Sequence, residues 1–475
     1  MPLPELIEVV PLDKPFRAEI TVPGSKSITN RALVLAALSE GETILQGALW
    51  SEDTQVMVEC LQELGFMVNH AAESDEPCNR TITVYGKGGE VSRGGIEGQP
   101  LQLFVGNAGT AARFLAAFLC LGKGVYRLHG TPRMHARPQA ALFHALRELG
   151  YQIDSSNDRL PAVIHGAGPR EGNCRVSIAE SSQFASALLL CRQVGRWQVT
   201  VEGENAEESP YVAMTSKLVK VFPADGGTFQ IEPDASGGSY FLAAGIEKFG
   251  EPVFDKTQGV EVVPAVSQLT IRNWPRSDWQ IDAKFQDWMA RFAFDSVCAG
   301  IYSPEFMARR YGPDWRGNFE VMEKEGFERI VTSRRDDLGD SIMMGVVLAP
   351  FAVLPARFIE LGRLRVQECE RVMALRTELT KCGAKVIEEG DTLTVYPSEL
   401  HGAVIETYND HRVAMCFSVL GLKVPGMKIK NPACVKKTFP NFFQKLAAPA
   451  PHGLGAKILD GMTGRLLNGD ELLAA

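Results

Sequence analysis

The sequence predicts an α/β protein of two similar halves, each assembled from three repeat units, and three observations carry that reading. A small or polar cluster running directly into an apolar segment occurs six times. An amphipathic segment that ends at glycine and leads into a β-rich run follows most of these copies. The copies divide three and three about a break at Gly226-Gly227. Alternation of this kind is the signature of layered α/β architecture.

The first copy is the most informative. Gly24-Ser25-Lys26-Ser27-Ile28-Thr29-Asn30-Arg31 passes without a turn signal into Ala32 to Leu38. A helix apolar on every side is buried, so its polar start is the end that can meet a ligand. N-capping by Ser25, Ser27 or Thr29 would account for the hydroxyls. Capping does not account for Lys26 and Arg31 in the first turns, where the macrodipole disfavours positive charge, and those cations point to an anion site.

The motif recurs at Gly106 to Arg113 before Phe114 to Leu121, and at Glu180 to Phe184 before Ala185 to Cys191. It appears again at Asp234 to Ser239 before Tyr240, at Asp337 to Ser341 before Ile342, and at Asn409 to Arg412 before Val413. The second pattern reads Leu61 to Val68, Leu146 to Ile153 and Leu379 to Val386, with a weaker copy at Glu323 to Phe327. Gly65, Gly150 and Gly383 within it read as C′ caps preceding strands. A strand at Ile7 to Val10 precedes the first unit and can complete either half.

Two regions fall outside the pattern. Residues 250–320 hold Trp274, Trp279, Trp288 and Trp315 among charged residues and a Tyr311-Gly312-Pro313 turn, and read as a packed insertion or an oligomer contact. The tail after Ala448, rich in Ala, Pro and Gly, is expected to be loosely held.

Composition narrows the function. A chain of 475 residues has room for two or three domains, and 45% apolar with 22% charged residues is that of a soluble globular protein. The net charge of −8 offers no global attraction for nucleic acid, so an anion must be held by a local cluster. The start Met1-Pro2-Leu3-Pro4-Glu5 has no basic or apolar leader character and no apolar run approaches a membrane span, which leads to the expectation of a cytoplasmic protein. Ten cysteines without a Cys-x-x-Cys pair read as reduced thiols, with no metal site implied.

With these motifs placed, the chain resembles the 5-enolpyruvylshikimate-3-phosphate synthase family of enolpyruvyl transferases. The resemblance rests on Pro23-Gly24-Ser25-Lys26-Ser27 with Arg31, Gly106-Asn107-Ala108-Gly109-Thr110 with Arg113, and Pro132-Arg133-Met134 with Arg137-Pro138. It continues through Ser181-Ser182-Gln183, Asp234-Ala235-Ser236, Glu368 with Arg371, Tyr408-Asn409-Asp410-His411-Arg412 and Lys437-Thr438-Phe439-Pro440. It implies two domains of three βαβαββ units each, an inside-out α/β barrel with parallel helices buried and their N-termini at the cleft. The first domain would span 22–233 and the second 1–21 with 234–447, leaving 448–475 as a tail.

The implied reaction moves the enolpyruvyl group of phosphoenolpyruvate to the 5-hydroxyl of shikimate 3-phosphate and releases phosphate, with no cofactor and no metal. By resemblance Lys26, Ser27, Arg31, Ser181, Ser182, Gln183, Asp340 and Gln367 meet the acceptor. Lys26, Asn107, Gly109, Thr110, Arg137, Gln183, Arg371, Arg412 and Lys437 meet phosphoenolpyruvate. Asp340 would take the hydroxyl proton, and Glu368, with Lys26 as a rival, would serve the methylene carbon. The herbicide glyphosate would compete at the donor site. A monomer is implied.

Departures from the family pattern gather at the acceptor. Gln367 stands where a lysine is expected, Arg363 where an asparagine is expected, Glu208 where a serine would contact the 3-phosphate, and Phe114 where proline is usual. Arg363 is the candidate to replace the missing charge. Three alternatives remain at this stage. The same donor could serve another acceptor, although the cysteine of the nucleotide-sugar branch is absent from Thr131-Pro132-Arg133-Met134. A P-loop enzyme lacks its full spacing, since Ser25 separates Gly24 from Lys26. A binding protein without activity would be excluded by detectable phosphate release.

Overall fold

The computed structural model describes residues 3–14, 16–203, 209–245, 253–255, 260–262, 268–299, 330–352 and 354–474. Glu208, Trp315, the Tyr311-Gly312-Pro313 turn and the Glu323 to Phe327 copy lie outside them. All six apolar segments are buried helices: α1 (Lys26–Leu38), α2 (Gly109–Cys120), α3 (Gln183–Gly195), α4 (Ala235–Ala244), α5 (Ile342–Leu348) and α6 (His411–Gly421). Every residue of α2 is buried, as expected of a helix with no polar face beyond its first turn.

Two of the buried helices, α2 and α5, lie in units with the same full order of strands and helices. Strand Leu101–Phe104, helix α2 and the parallel strand Val125–His129 are followed by the helix Ala140–Glu148 and the antiparallel pair Gln152–Asp154 and Ala162–His165. The order returns at Ile330–Ser333, α5, Ala356–Ile359, the helix Arg371–Lys381 and the strands Val386–Glu389 and Thr392–Val395. Gly65, Gly150 and Gly383 end the outer helices at φ +87°, +84° and +94°, the left-handed geometry that a C′ glycine supplies.

Apolar side chains gather into two cores. One runs from Ile28 to Ile231, and the other joins Leu3 to Val22 with Tyr240 to Ala474. The first strand, Leu6–Val9, pairs with Met427–Lys430 and Ile458–Asp460, so it completes the second core. The tail is therefore not loosely held. Its strand Ile458–Asp460 extends that sheet, and Leu454, Ile458, Leu467 and Leu472 are buried, because the first strand needs a partner on its free edge.

The described part of the tryptophan-rich region is packed against both cores, in keeping with the reading of a packed insertion. Strand Gln268–Ile271 pairs in parallel with Arg17–Ile20, Trp288 is buried in the second core, and Trp279 stacks on Phe229 of the first. The chain crosses between the cores twice, near Gly24 and near Pro233, and the two crossings bond each other. A Cβ on Gly24 would lie 1.9 Å from the Gly47 carbonyl oxygen, so only glycine fits that crossing. Among the described residues, no helix is long and apolar enough to cross a membrane.

Candidate active site

All six buried helices begin at one pocket. Lys26 and Ser27 of α1, Thr110 of α2, Gln183 of α3, Ser236 of α4, Asp340 just before α5 and Arg412 of α6 border it. In the first half α1, α2 and α3 have neither an acidic residue in the first turn nor a side-chain cap, so their positive ends stay available to an anion. The lining holds eight lysines and arginines against five carboxylates, a local excess of positive charge in a chain of net charge −8.

Lys26, Ser27, Arg31, Thr110, Arg137, Ser181, Ser182, Gln183, Asp340, Gln367, Glu368, Arg371 and Arg412, each singled out in the sequence, line this pocket together. The other three lie against it. The Asn107 carbonyl accepts from Arg137 Nη1 at 3.2 Å and from Lys437 Nζ at 3.3 Å, and Lys437 Nζ is 3.1 Å from Glu368 Oε1. A Cβ on Gly109 would meet Arg113 Nη1 and Arg137 Nη2 at 2.6 Å.

The capping readings do not hold. Ser25 makes no side-chain cap to α1, and Thr29 Oγ1 instead accepts from Leu49 N–H at 3.1 Å. Asp340 sits in a tight turn, Gly339–Ser341, with its carboxylate turned onto arginines rather than onto the helix start.

Two environments meet in the pocket. In the first half, Arg31 donates to Thr215 Oγ1 at 2.7 Å, Ser186 Oγ at 3.0 Å and the Ser27 carbonyl at 2.9 Å. Phe114, the departure from proline, lies beneath its guanidinium at 5.1 Å. Burial lowers Arg31 to about 10. Burial, then the Arg137 charge, pushes Arg113 well below the guanidinium range. No carboxylate among the described residues pairs with Arg31, Arg113 or Arg137 within 4 Å.

In the second half the cations are paired. Arg371, 1% exposed, donates to Asp410 and Glu368, each at 2.7 Å, and to Gln367 Oε1. Arg412 donates to Ser236 Oγ at 2.9 Å and lies 3.4 Å from Asp340 Oδ2. Arg334 Nη2 lies 2.6 Å from Asp340 Oδ1. Burial alone would raise both acids. Arg412, Arg334 and Arg371 outweigh it for Asp340, and Lys437, Arg371 and Arg137 for Glu368, so both carboxyls are held well below their usual range.

Contacts across the cleft close the pocket. Arg133 donates to the carbonyls of Gln367 and Glu368 at 2.8 and 3.2 Å, and Arg363 to the Ile178 carbonyl at 2.8 Å. Lys26 pairs with Asp53 at 3.1 Å rather than with an acid of the second half.

Sequence reasoning missed Arg334, Asp234, Ser236, Gln280 and Asp282, which also line the pocket. Asp234 and Ser236 stood in a recognised motif without a role. Arg334-Arg335 ahead of Asp340 was a usable signal, a charged pair beside a candidate acid. Gln280 and Asp282 had none, since they come from the aromatic stretch. Asp282 Oδ1 accepts from Ser341 N–H at 2.6 Å and Ser236 Oγ at 2.9 Å, and burial followed by the Asp340 charge raises its carboxyl to about 6.

The profile of the family described as EPSP synthase (3-phosphoshikimate 1-carboxyvinyltransferase) matches residues 12–253 and 315–446, leaving out the segment that supplies Gln280 and Asp282. A 3-phosphoshikimate 1-carboxyvinyltransferase from Trichormus variabilis is 33% identical over 465 residues, covering 93% of this chain and 98% of its own. The enzyme of that name from Vibrio atlanticus is 35% identical, covering 93% and 99%. The fold is similar to EPSP synthase from Acinetobacter baumannii, with a TM-score of 0.63 at 18% identity over 95% of this chain and 99% of that one. It is also similar to the enolpyruvyl transferase NikO from Streptomyces tendae, with a TM-score of 0.61 at 15% identity over 96% and 99%. Matched by the family profile in both halves and related to these enzymes over nearly its whole length, the chain belongs to the EPSP synthase family.

Proposed function

We propose that this protein transfers the enolpyruvyl group of phosphoenolpyruvate to the 5-hydroxyl of shikimate 3-phosphate, releasing phosphate, in the shikimate pathway to aromatic amino acids. The observation that carries the reading is the junction of arginines lacking carboxylate partners with two carboxylates, Asp340 and Glu368, that share Arg371. Arg31 and Arg137, which have no carboxylate partners, and Arg371, Arg412 and Lys437, which exchange theirs, bind the substrates' phosphates and carboxylates; clamped carboxylates move protons.

Phosphoenolpyruvate is assigned to Arg137, Arg371, Arg412 and Lys437, with Lys26, Asn107, Gly109, Thr110 and Gln183 around it. The acceptor is assigned to Lys26, Ser27, Arg31, Ser181, Ser182, Gln183 and Gln367, with its hydroxyl at Asp340. A proton from Glu368 reaches the methylene carbon, the acceptor oxygen bonds to the adjacent carbon, and Asp340 takes the hydroxyl proton. Return of the carbon proton and cleavage of the bond to phosphate then complete the transfer.

Substrate binding itself tunes the acids. The donor's phosphate and carboxylate compete for Arg137, Arg371 and Lys437, the cations that hold Glu368 ionised. As those cations turn to substrate, Glu368 rises toward the range of a useful acid. The bodies that close are taken as 22–233 and 1–21 with 234–447, supported by the two separate cores. A cytoplasmic location is supported by nine free, buried cysteines among the described residues, and a monomer is what the family resemblance implies.

The test offers phosphoenolpyruvate with shikimate 3-phosphate, unphosphorylated shikimate or a UDP-sugar and measures phosphate release. Release with shikimate 3-phosphate is expected. Release with the UDP-sugar alone would transfer the protein to another acceptor while leaving its donor chemistry intact.

A further inference from the structure

Arg334 occupies an unusual position at the acceptor end of the pocket. It lies six residues before Asp340, is 6% exposed, and lines the pocket near Tyr211 and Arg363, with Gln367 also in the lining. One nitrogen, Nη2, is bound to Asp340 at 2.6 Å, while Nε is buried with no hydrogen-bond partner among the described residues. A buried guanidinium nitrogen without an acceptor is costly unless a ligand supplies one.

Its neighbours sharpen the point. Gln367 is neutral, and Arg363 is already donating across the cleft to the Ile178 carbonyl. Arg334 and Arg363 also repel each other, a repulsion that an anion between them would relieve. The same pocket carries Arg31, Ser27, Ser181 and Ser182 from the first half. Arg334 is thus the cation near Asp340 with unused hydrogen-bonding capacity.

We propose that Arg334 is an acceptor-binding residue whose guanidinium passes from Asp340 to an anionic group of the acceptor, so that arrival of the acceptor frees the base that its hydroxyl needs. The proposal rests on Asp340 being that base. The charged and titratable groups around Asp340 are Arg334 from its own segment, Arg371 from Arg371–Lys381, Arg412 from α6, Arg363 from Gly362–Val366, Asp282 from Ile281–Lys284 and Tyr211 from Pro210–Val221. Transfer of Arg334 leaves Arg371 and Arg412, with Arg363 farther off, as the cations acting on the base, which raises its proton affinity while keeping it ionised near neutrality.

The experiment compares wild type with Arg334→Gln and Arg334→Lys in steady-state kinetics across pH, varying each substrate in turn. Arg334→Gln should raise the acceptor KM roughly tenfold or more and the phosphoenolpyruvate KM by less than about threefold. It should also move the acid limb of kcat/KM for the acceptor to higher pH, with Arg334→Lys lying between the two. Parallel rises in both KM values, or an unmoved acid limb, would overturn the assignment. Calorimetric titration with shikimate 3-phosphate separates this from the proposed activity: equal affinity in wild type and Arg334→Gln defeats the role of Arg334, whereas absent phosphate release by wild type defeats the activity.

Discussion

The two halves of the cleft start their buried helices in opposite ways. In the first half, α1, α2 and α3 have no side-chain cap at Ser25, Ala108 or Ser182, and Arg31, Arg113 and Arg137 beside them have no carboxylate partners among the described residues. In the second half a carboxylate serves every helix start, Asp234 at α4, Asp282 at Ser341 before α5 and Asp410 at α6. Arginines then cover those acids or their neighbours. Apart from Lys26, held by Asp53, the first half is an anion receptor with its charges unspent; apart from Arg363, the second is neutralised from within and acts by exchanging partners.

The sharpest way to break this contrast is to remove one arginine from each side. Arg371→Met leaves Asp410 and Glu368 buried without their guanidinium and should cost about 3–5 kcal/mol of stability along with activity. Arg31→Met strands no acid. Its stability should change by less than ~1 kcal/mol while the acceptor KM rises roughly tenfold to a hundredfold. Urea denaturation and steady-state kinetics read both quantities. Equal destabilisation by the two substitutions would erase the distinction between the halves.

How much of this was legible in the sequence follows the same division. Helix burial was readable because Ala32 to Leu38 and Phe114 to Cys120 admit no polar face, and the caps at Gly65, Gly150 and Gly383 announce the strands after them. Lys26 and Arg31 were readable because a cation in a helix's first turns opposes the dipole, whereas Arg137, Arg371, Arg412 and Lys437 came from the family resemblance. Their pairing was not, since the partner of Arg371 at Asp410 lies 39 residues away and reaches it only through packing. The tail misled because Pro449 and Pro451 read as loop, while its later strand is fixed by the chain's own start. Asp282 stayed hidden for a related reason, its role arising from Ser236 and Ser341 far along the chain.

That residue gives a smaller test of neutralisation in the second half. The Asp282 carboxyl is raised from 3.8 to about 6, so the folded protein binds its proton more tightly than the unfolded chain does. Its contribution is fully present below about pH 3.8 and is lost as pH rises through about 6, a fall on the order of 3 kcal/mol. Asp340 is depressed instead, and its loss comes on the acid side of 3.8, outside this window. Asp282→Asn keeps an acceptor for Ser341 N–H and Ser236 and removes the titration. The variant should therefore gain stability relative to wild type between pH 4 and pH 7, measured as the difference in unfolding free energy. A constant difference over that range would mean that Asp282 ionises as freely in the fold as in water.

The first half can be probed at the scale of one methyl group. A Cβ at Gly109 reaches to 2.6 Å from Arg113 Nη1 and Arg137 Nη2, both tips of side chains rather than backbone. Arg113 is tied to Gln183 Oε1 at 2.7 Å and Arg137 to the Asn107 carbonyl at 3.2 Å, so neither tip moves without disturbing the donor pocket. Overpacking of this kind at a flexible tip costs about 1 kcal/mol, which as a shift of Arg137 off its ligand is about a fivefold rise in phosphoenolpyruvate KM. Stability should hold or improve slightly, because alanine favours a helix start more than glycine. The acceptor KM should stay within about twofold, since the assigned acceptor residues lie on other helix starts. Glyphosate, expected from the family resemblance to occupy the donor site, meets the same crowding, and its inhibition constant should rise further than the substrate's KM because Gly109→Ala selects against the bulkier anion. Equal inhibition of wild type and Gly109→Ala would show that the donor anion does not sit between Arg113 and Arg137, and that the unpaired arginines of the first half serve the acceptor alone.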